Sequence, residues 1–489
     1  MESIWSKTCS FAEREPLQGD ITADVAVIGA GLCGVLIADA LQRSGCQVVV
    51  LEANRIASGQ TRNTTAKITS QHGLIYHKLT TTLGEHKARQ CAQANESAIG
   101  EFRRIIDERG IDCDFEEQKN YVYGMEKAEL EAEAESALKL GLNASFVEET
   151  PLPFPTAGAV CFDRQAQFHP LKFLSAIAEP LTIYEHTPAI KVEGQQIVTD
   201  RGTVTAKHIV FACHYPFVNF PGMYFARMHQ ERSYVLALEN AKQIEGMWIG
   251  SGEHVYSLRR AGDLLLLGGG GHRCGENSEG GKYDELRRRA KLWFPDNREI
   301  AHWSAQDCVT VDRVPYIGHY AANHPNWYVA TGFRKWGMTH SMVAAMLLRD
   351  LICGGASMPY PEVFDPGRFD TAAVAGMASM SSHAIKALGK RFFQVPTEKA
   401  AEIPAGHGGI VTLDGEKVGV YKDEDGTLYS VDICCNHMGC QLEWNPDELS
   451  WDCPCHGSRY DRFGNLISGP AQEGLAREEP KNAEEPETP

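Results

Sequence analysis

The sequence predicts an α/β dinucleotide-binding fold with an antiparallel second domain, followed by a small all-β module. Three observations lead there. Near the N-terminus an apolar strand runs into G-x-G-x-x-G, a helix and a second strand that ends in an acid. Near the C-terminus, two Cys-and-His pairs, C-x-H and C-x2-H, are separated by the fifteen residues 438–452. The chain of 489 residues is also too long for one core and fits two or three domains.

Asp24–Ile28 reads as a buried strand, and Gly29, Gly31 and Gly34 form the turn into a helix that runs to about Arg43 and stops at Gly45. A second strand, Gln47 to Leu51, precedes Glu52. In a strand–turn–helix–strand unit the glycines admit a pyrophosphate to the helix N-terminus, and the acid holds ribose hydroxyls. The glycine cluster Gly268–Gly271 lacks a third glycine and a following amphipathic helix, so it reads as a turn. Residues 85–109 and 126–140 read as helices whose charge runs are solvated faces. Ser233–Leu238 and Asp263–Leu267 read as strands of an antiparallel sheet, and Met342–Leu351 as a helix packed on the dinucleotide sheet. Residues 1–20 read as a polar lead-in.

Lys207–Cys213 resembles the strand that returns to the nucleotide fold in flavoproteins with two dinucleotide-binding domains. Asp312–Gly318 and Ala330–Thr339 resemble the C-terminal flavin motif of the D-amino-acid oxidase and glycine oxidase superfamily. That resemblance implies FAD, with Glu52 on its adenosine ribose. It also implies a Rossmann-like fold with a helix starting beneath the isoalloxazine, where its dipole favours the negative charge that develops on reduction. Gly332, Lys335, Gly337, Met338 and Thr339 fall in this motif. Thr64–Thr69 and Gln71–Gly73 match the stretch after the first flavin motif in a bacterial, DadA-like group that carries a C-terminal iron–sulfur module. In the superfamily this stretch runs beside the ring. The resemblance therefore implies that Thr65, Ala66 and Lys67 line FAD, with Lys67 and His72 as candidate catalytic residues. The alternative for Lys67 is a loop lysine facing solvent. Arg227, Arg232, Arg259 and Arg273 are candidates for a substrate-carboxylate clamp, Arg232 foremost, or else surface arginines. His169, at a strand-to-helix junction, reads as a turn residue rather than a base.

Cys435, His437, Cys453 and His456 fall on the ligand positions of a Rieske [2Fe–2S] cluster, whose neutral imidazoles raise the potential to roughly −150 to +300 mV. Tetrahedral zinc is the alternative for two Cys and two His, although zinc sites usually pair like with like. The resemblance to respiratory Rieske proteins further implies a disulfide between Cys440 and Cys455. It also implies hydrogen bonds from Ser458 and Tyr460 to sulfur, and a shielding proline loop at Ser468–Ala471.

The expected organisation is an FAD-dependent oxidoreductase domain over 1–356. Its FAD-binding pieces lie at about 21–75, 160–220 and 305–356, and its substrate-domain pieces at about 76–159 and 221–304. A linker follows over 357–395 with one helix near Ala384–Lys390, then a Rieske module over 396–476 with early strands Gly409–Leu413, Lys417–Tyr421 and Thr427–Val431. A disordered acidic tail closes the chain over 477–489. A net charge of −17 argues against nucleic acid or an anionic membrane as partner. No apolar run is long enough to span a bilayer, and ten of the fifteen cysteines are scattered outside the cluster segment, as suits the cytoplasm. The expected function is oxidation of the C–N bond of an amine or amino acid, with electrons passing through the cluster to an external acceptor. A redox sensor or electron-transfer protein is one alternative. A Rieske oxygenase is another, with mononuclear iron on His319 and His324.

Overall fold

The computed structural model describes residues 2–252, 255–355, 361–368, 400–413 and 415–478. They fall into two compact units: Met1–Met223, Arg232–Gly271 and Tyr283–Val374 form the first, and Tyr224–Glu231, His272–Lys282 and Ala375–Pro489 the second. Apart from residues 361–368, which begin with the short helix Pro361–Phe364, the expected linker, its helix near Ala384–Lys390 and the tail beyond residue 478 lie outside the described residues. The units also divide the expected oxidoreductase domain differently, because two of its segments cluster with the C-terminal module.

In the first unit, Ile21–Ile28 lies at the middle of an eight-stranded sheet. It pairs in parallel with Val48–Leu51 on one side and Thr203–Phe211 on the other. Thr182–Tyr184 and Trp327–Thr331 extend the parallel run, and Tyr316–His319 closes one edge antiparallel. Val25, Ala26 and Val27 are fully buried, as a parallel strand covered on both faces requires. The helices Leu32–Arg43 and Gly337–Cys353 pack together. Gly29, Glu52, Ala212 and Gly332 directly follow the ends of four adjacent parallel strands. They therefore line the sheet's carboxyl edge, where open α/β sheets bind ligands.

A second, mostly antiparallel sheet of nine strands includes Met228–Glu239, Leu264–Arg273, Arg298–Thr310, Glu116–Gly124 and Gly158–Gln167. Gly268–Gly271, expected as a turn, is instead the continuation of the strand Leu264–Arg273. A Cβ on Gly269 would lie 2.9 Å from the Tyr256 ring and 3.0 Å from Leu286, so glycine makes room for these side chains. The polar lead-in holds a helix, Ile4–Thr8, whose Ile4 and Trp5 are buried; five residues are too few for periodicity to reveal it.

The two expected charged helices are present as Glu85–Arg109 and Lys127–Lys139. In the first, Ala88, Ala92, Ala98, Ile99, Phe102 and Ile106 recur at helical spacing and are buried. In the second, Glu133 corrects the expectation of a solvated face. It is fully buried, and its carboxylate accepts hydrogen bonds from the backbone N–H groups of Ile75, Tyr76 and His77 at 2.8–2.9 Å, capping the helix Tyr76–Leu83.

The second unit contains two four-stranded antiparallel sheets. His407–Leu413, Glu416–Lys422 and Leu428–Asp432 form three strands of one, close to the expected ranges. Glu443–Asn445, Ser450–Asp452, Arg459–Asp461 and Leu466–Ser468 form the other. Trp451, Leu442 and Tyr460 pack into its core together with Cys435 and Cys453.

Candidate cofactor sites

The glycine turn of the first unit is shaped by close approaches. Gly29 has φ +108°, and a Cβ there would lie 2.7 Å from the Ala212 carbonyl oxygen. A Cβ on Gly34 would lie 1.9 Å from the Gly29 carbonyl oxygen, so the helix meets the turn only through glycine. Gly31 has an ordinary φ of −76° and caps the helix without a side chain. The glutamate end of the second strand turns back onto this loop. One Glu52 oxygen accepts from the Ala30 N–H at 2.8 Å and the other from Asn54 at 2.9 Å. Burial pushes the Glu52 carboxyl up from its usual range, against the pull of those N–H groups. A helix N-terminus reached through glycine and set beside a half-buried carboxylate fits the pyrophosphate and ribose of a dinucleotide.

Hydrogen bonds join the two stretches that carry the ring-side candidates. The Thr69 N–H donates to Thr339 Oγ1 at 3.0 Å, and that hydroxyl donates back to the Thr69 carbonyl at 2.8 Å. This pair ties the stretch after the strand Lys67–Ile68 to the first turn of Gly337–Cys353, near Gly337 and Met338. Arg259 donates to the carbonyls of Thr65 and Ala66 at 2.6 and 2.7 Å, and the Trp5 indole N–H donates to that of Thr64. Lys67 is buried, not facing solvent; its Nζ donates to the Trp248 carbonyl and to Ser257 Oγ, each at 2.7 Å. Burial, with Arg259 as a nearby like charge, pushes its pKa well below the usual value. His72 stacks on Trp336 at 4.9 Å and meets the His340 ring edge-on at 4.4 Å. Burial holds His72 neutral and pushes His340 down to about 3. Lys335 is exposed.

The clamp candidates take varied places. Arg232 is buried and donates to Gln306 Oε1 at 3.2 Å and Ser304 Oγ at 2.5 Å. Arg259 secures the loop above, and Arg227 lies over the Tyr224 ring. Arg273 belongs to the second unit. His169 caps the helix Pro170–Ala178, as a turn residue should. His319 packs on Tyr328 and His324 on Trp327, and among the described residues no group of metal-ligating side chains includes either. Thr61, whose Oγ1 accepts from the Leu32 N–H at 2.9 Å, and His340 carry no local signal in the sequence, whereas Trp336 lies within the motif Ala330–Thr339 without being singled out there.

In the second unit two similar loops face each other. Gly439 N–H returns to the Cys435 carbonyl and Gly457 N–H to the Cys453 carbonyl, each closing a turn around a Cys–His pair. The Nδ1 atoms of His437 and His456 approach to 3.1 Å, and burial pushes these imidazoles down to about 4 and 3, so both are neutral. Cys435 and Cys453 are buried, and the hydrogen bond between their thiols holds Cys435 down to about 6 while pushing Cys453 up. Tyr460 Oη lies 3.6 Å from Cys435 Sγ, and Ser458 Oγ accepts from the Ala471 N–H at 3.0 Å. A disulfide joins Cys440 to Cys455 and so ties the loops together. Two buried thiols and two converging neutral Nδ1 atoms fit an iron–sulfur cluster with mixed ligation.

Residues 24–351 match the family model described as FAD dependent oxidoreductase. The chain belongs to that family. Residues 393–478 of this oxidoreductase match the Rieske [2Fe-2S] domain, which decides against zinc. FAD and a Rieske cluster are its cofactors. It is 36% identical over 489 residues to a putative Rieske 2Fe-2S iron-sulfur protein, YhfW, of Bacillus subtilis, with 96% of each chain covered. Its C-terminal part is 35% identical over 139 residues to cytochrome b6-f complex iron-sulfur subunit 1 of Cyanophora paradoxa, covering 27% of this chain and 54% of that protein. Its fold resembles glycine oxidase from Geobacillus kaustophilus, with TM-score 0.60, 17% identity, and 71% of this chain and 99% of that one covered. L-amino acid deaminase from Proteus vulgaris gives TM-score 0.60 at 18% identity, with 73% and 97% covered. No helix among the described residues is long and apolar enough to cross a membrane.

Proposed function

We propose that the oxidoreductase removes two electrons from the C–N bond of an amine or amino acid and delivers them, by way of its Rieske module, to an external acceptor. The carrying observation is that one chain holds both a dinucleotide cradle at Gly29–Gly34 and Glu52 and a two-Cys, two-His cluster set. When bound, FAD supplies a two-electron acceptor and [2Fe–2S] a one-electron carrier. That pairing suits a substrate giving electrons in pairs and an acceptor taking them singly. The fold shared with glycine oxidase and L-amino acid deaminase supports an amino-acid or amine substrate.

Within the chain, the Thr69–Thr339 tie fixes the two segments expected beside the ring. Lys67, whose proton burial loosens, is the basic group of that stretch, and His72 remains an uncharged imidazole. Arg232 orders the substrate-side sheet through Ser304 and Gln306. A cytoplasmic setting fits the ten cysteines scattered outside the cluster segment.

The test is anaerobic mixing with a panel of amines and of D- and L-amino acids, following flavin bleaching and cluster reduction together. At least one substrate should bleach the flavin first and reduce the cluster afterwards. If dithionite reduces both centres but no amine bleaches the flavin, the amine reading fails and a redox-sensor role replaces it.

A further inference from the structure

The second unit contains, besides the C-terminal module, two segments from far upstream: Tyr224–Glu231 and His272–Lys282. Both touch the loop that carries Cys453 and His456. Buried Gln230 donates from Nε2 to the His456 carbonyl at 2.7 Å and to the Gly469 carbonyl at 3.2 Å, joining a ligand loop to the proline turn. Arg273 donates to the carbonyls of Pro454 and Cys455 at 3.2 and 3.4 Å. Glycines on both sides permit this approach. A Cβ on Gly457, at φ +81°, would lie 2.6 Å from Gln230 Cβ; one on Gly275, at φ +75°, would lie 2.6 Å from the Pro454 nitrogen. Further along, Asp447 accepts from Asn277 Nδ2 and from the N–H groups of Gly281 and Lys282 at 2.9–3.1 Å.

We propose that Gln230 and Arg273 are positioning residues of the cluster, Gln230 fixing the His456 loop and Arg273 raising the cluster's potential with a fixed positive charge. Reduction adds one negative charge to the cluster. A half-buried guanidinium held against the backbone of Pro454 and Cys455 stabilises that charge, beside a ligand loop whose Cys455 and His456 are buried. The cluster's potential is thus set partly by residues outside the module that supplies its ligands.

The experiment uses the full chain with both cofactors. Iron and FAD contents are measured, and the cluster is titrated under EPR in Arg273→Gln, Arg273→Lys and Gln230→Ala. Arg273→Gln should retain iron and FAD and titrate at a lower potential, with Arg273→Lys recovering most of the shift. Gln230→Ala should change the g-anisotropy of the reduced cluster and speed iron loss to a chelator, with FAD unchanged. Parental potential in fully loaded Arg273→Gln, or an equal fall in the Gln and Lys variants, overturns the role of charge. An unaltered spectrum and iron-loss rate in Gln230→Ala overturn the positioning role. Should Arg273→Gln not load iron, Arg273→Lys decides: a potential near the parent's supports the proposal and a marked fall sinks it.

Discussion

Gly31 and Gly34 share one motif but meet different constraints. An alanine methyl at Gly34 would sit 1.9 Å from the Gly29 carbonyl oxygen, so helix and turn must separate. At Gly31 the methyl would lie 3.2 Å from Thr61 Oγ1, with backbone φ already ordinary. Gly34→Ala is therefore expected to lose FAD and lower the thermal midpoint. Gly31→Ala should keep the midpoint near the parent's while lowering FAD content, because the methyl occupies the approach to the helix N-terminus. Flavin absorbance and thermal denaturation read both, and full FAD in Gly34→Ala would show that the nucleotide binds elsewhere. The motif residues were legible because their chemistry is local. Cys435 and His437, or Cys453 and His456, share one short loop, so their spacing marks them as candidate ligands. Thr61 was not legible, since its bond to Leu32 depends on how a distant loop folds back.

At the scale of elements, buried Glu133 joins two helices. Its carboxylate caps Tyr76–Leu83 from within Lys127–Lys139. Removing it leaves the buried N–H donors of Ile75 and Tyr76, and the outer one of His77, without their acceptor, a loss on the order of 3 kcal/mol. Glu133→Ala should lower the denaturation midpoint markedly, and Glu133→Gln less, because an amide oxygen still accepts. An unchanged midpoint in Glu133→Ala would mean that water replaces the carboxylate. The helices themselves are legible from their Ala-, Glu-, Arg- and Lys-rich composition, but Glu133 reads there as one more solvated charge. A charged residue shows its burial only through its partner, and that partner lies 56–58 residues away. Gly268–Gly271 failed for a related reason: glycine's weak strand preference was outweighed by the space that Tyr256 and Leu286 require.

For the molecule as a whole, the dinucleotide cradle lies in one compact unit and the cluster loops in the other. His437→Ala should therefore lose the cluster iron while keeping FAD at parental stoichiometry, as iron analysis and flavin absorbance will show. Loss of both cofactors together would mean that the units do not fold independently. The sequence by itself determined a dinucleotide-binding turn and two Cys–His loops in separate modules; FAD and the Rieske cluster followed from the families that those motifs resemble and match. Its glycine turn and ligand loops are short, and covalent geometry keeps their functional atoms near one another. Only the tertiary structure decided which side chains brace those sites. Thr69 meets Thr339 across 270 residues, and Gln230 meets His456 across 226. Such contacts follow from strand order, register and packing, which join residues with no pattern between them in the chain.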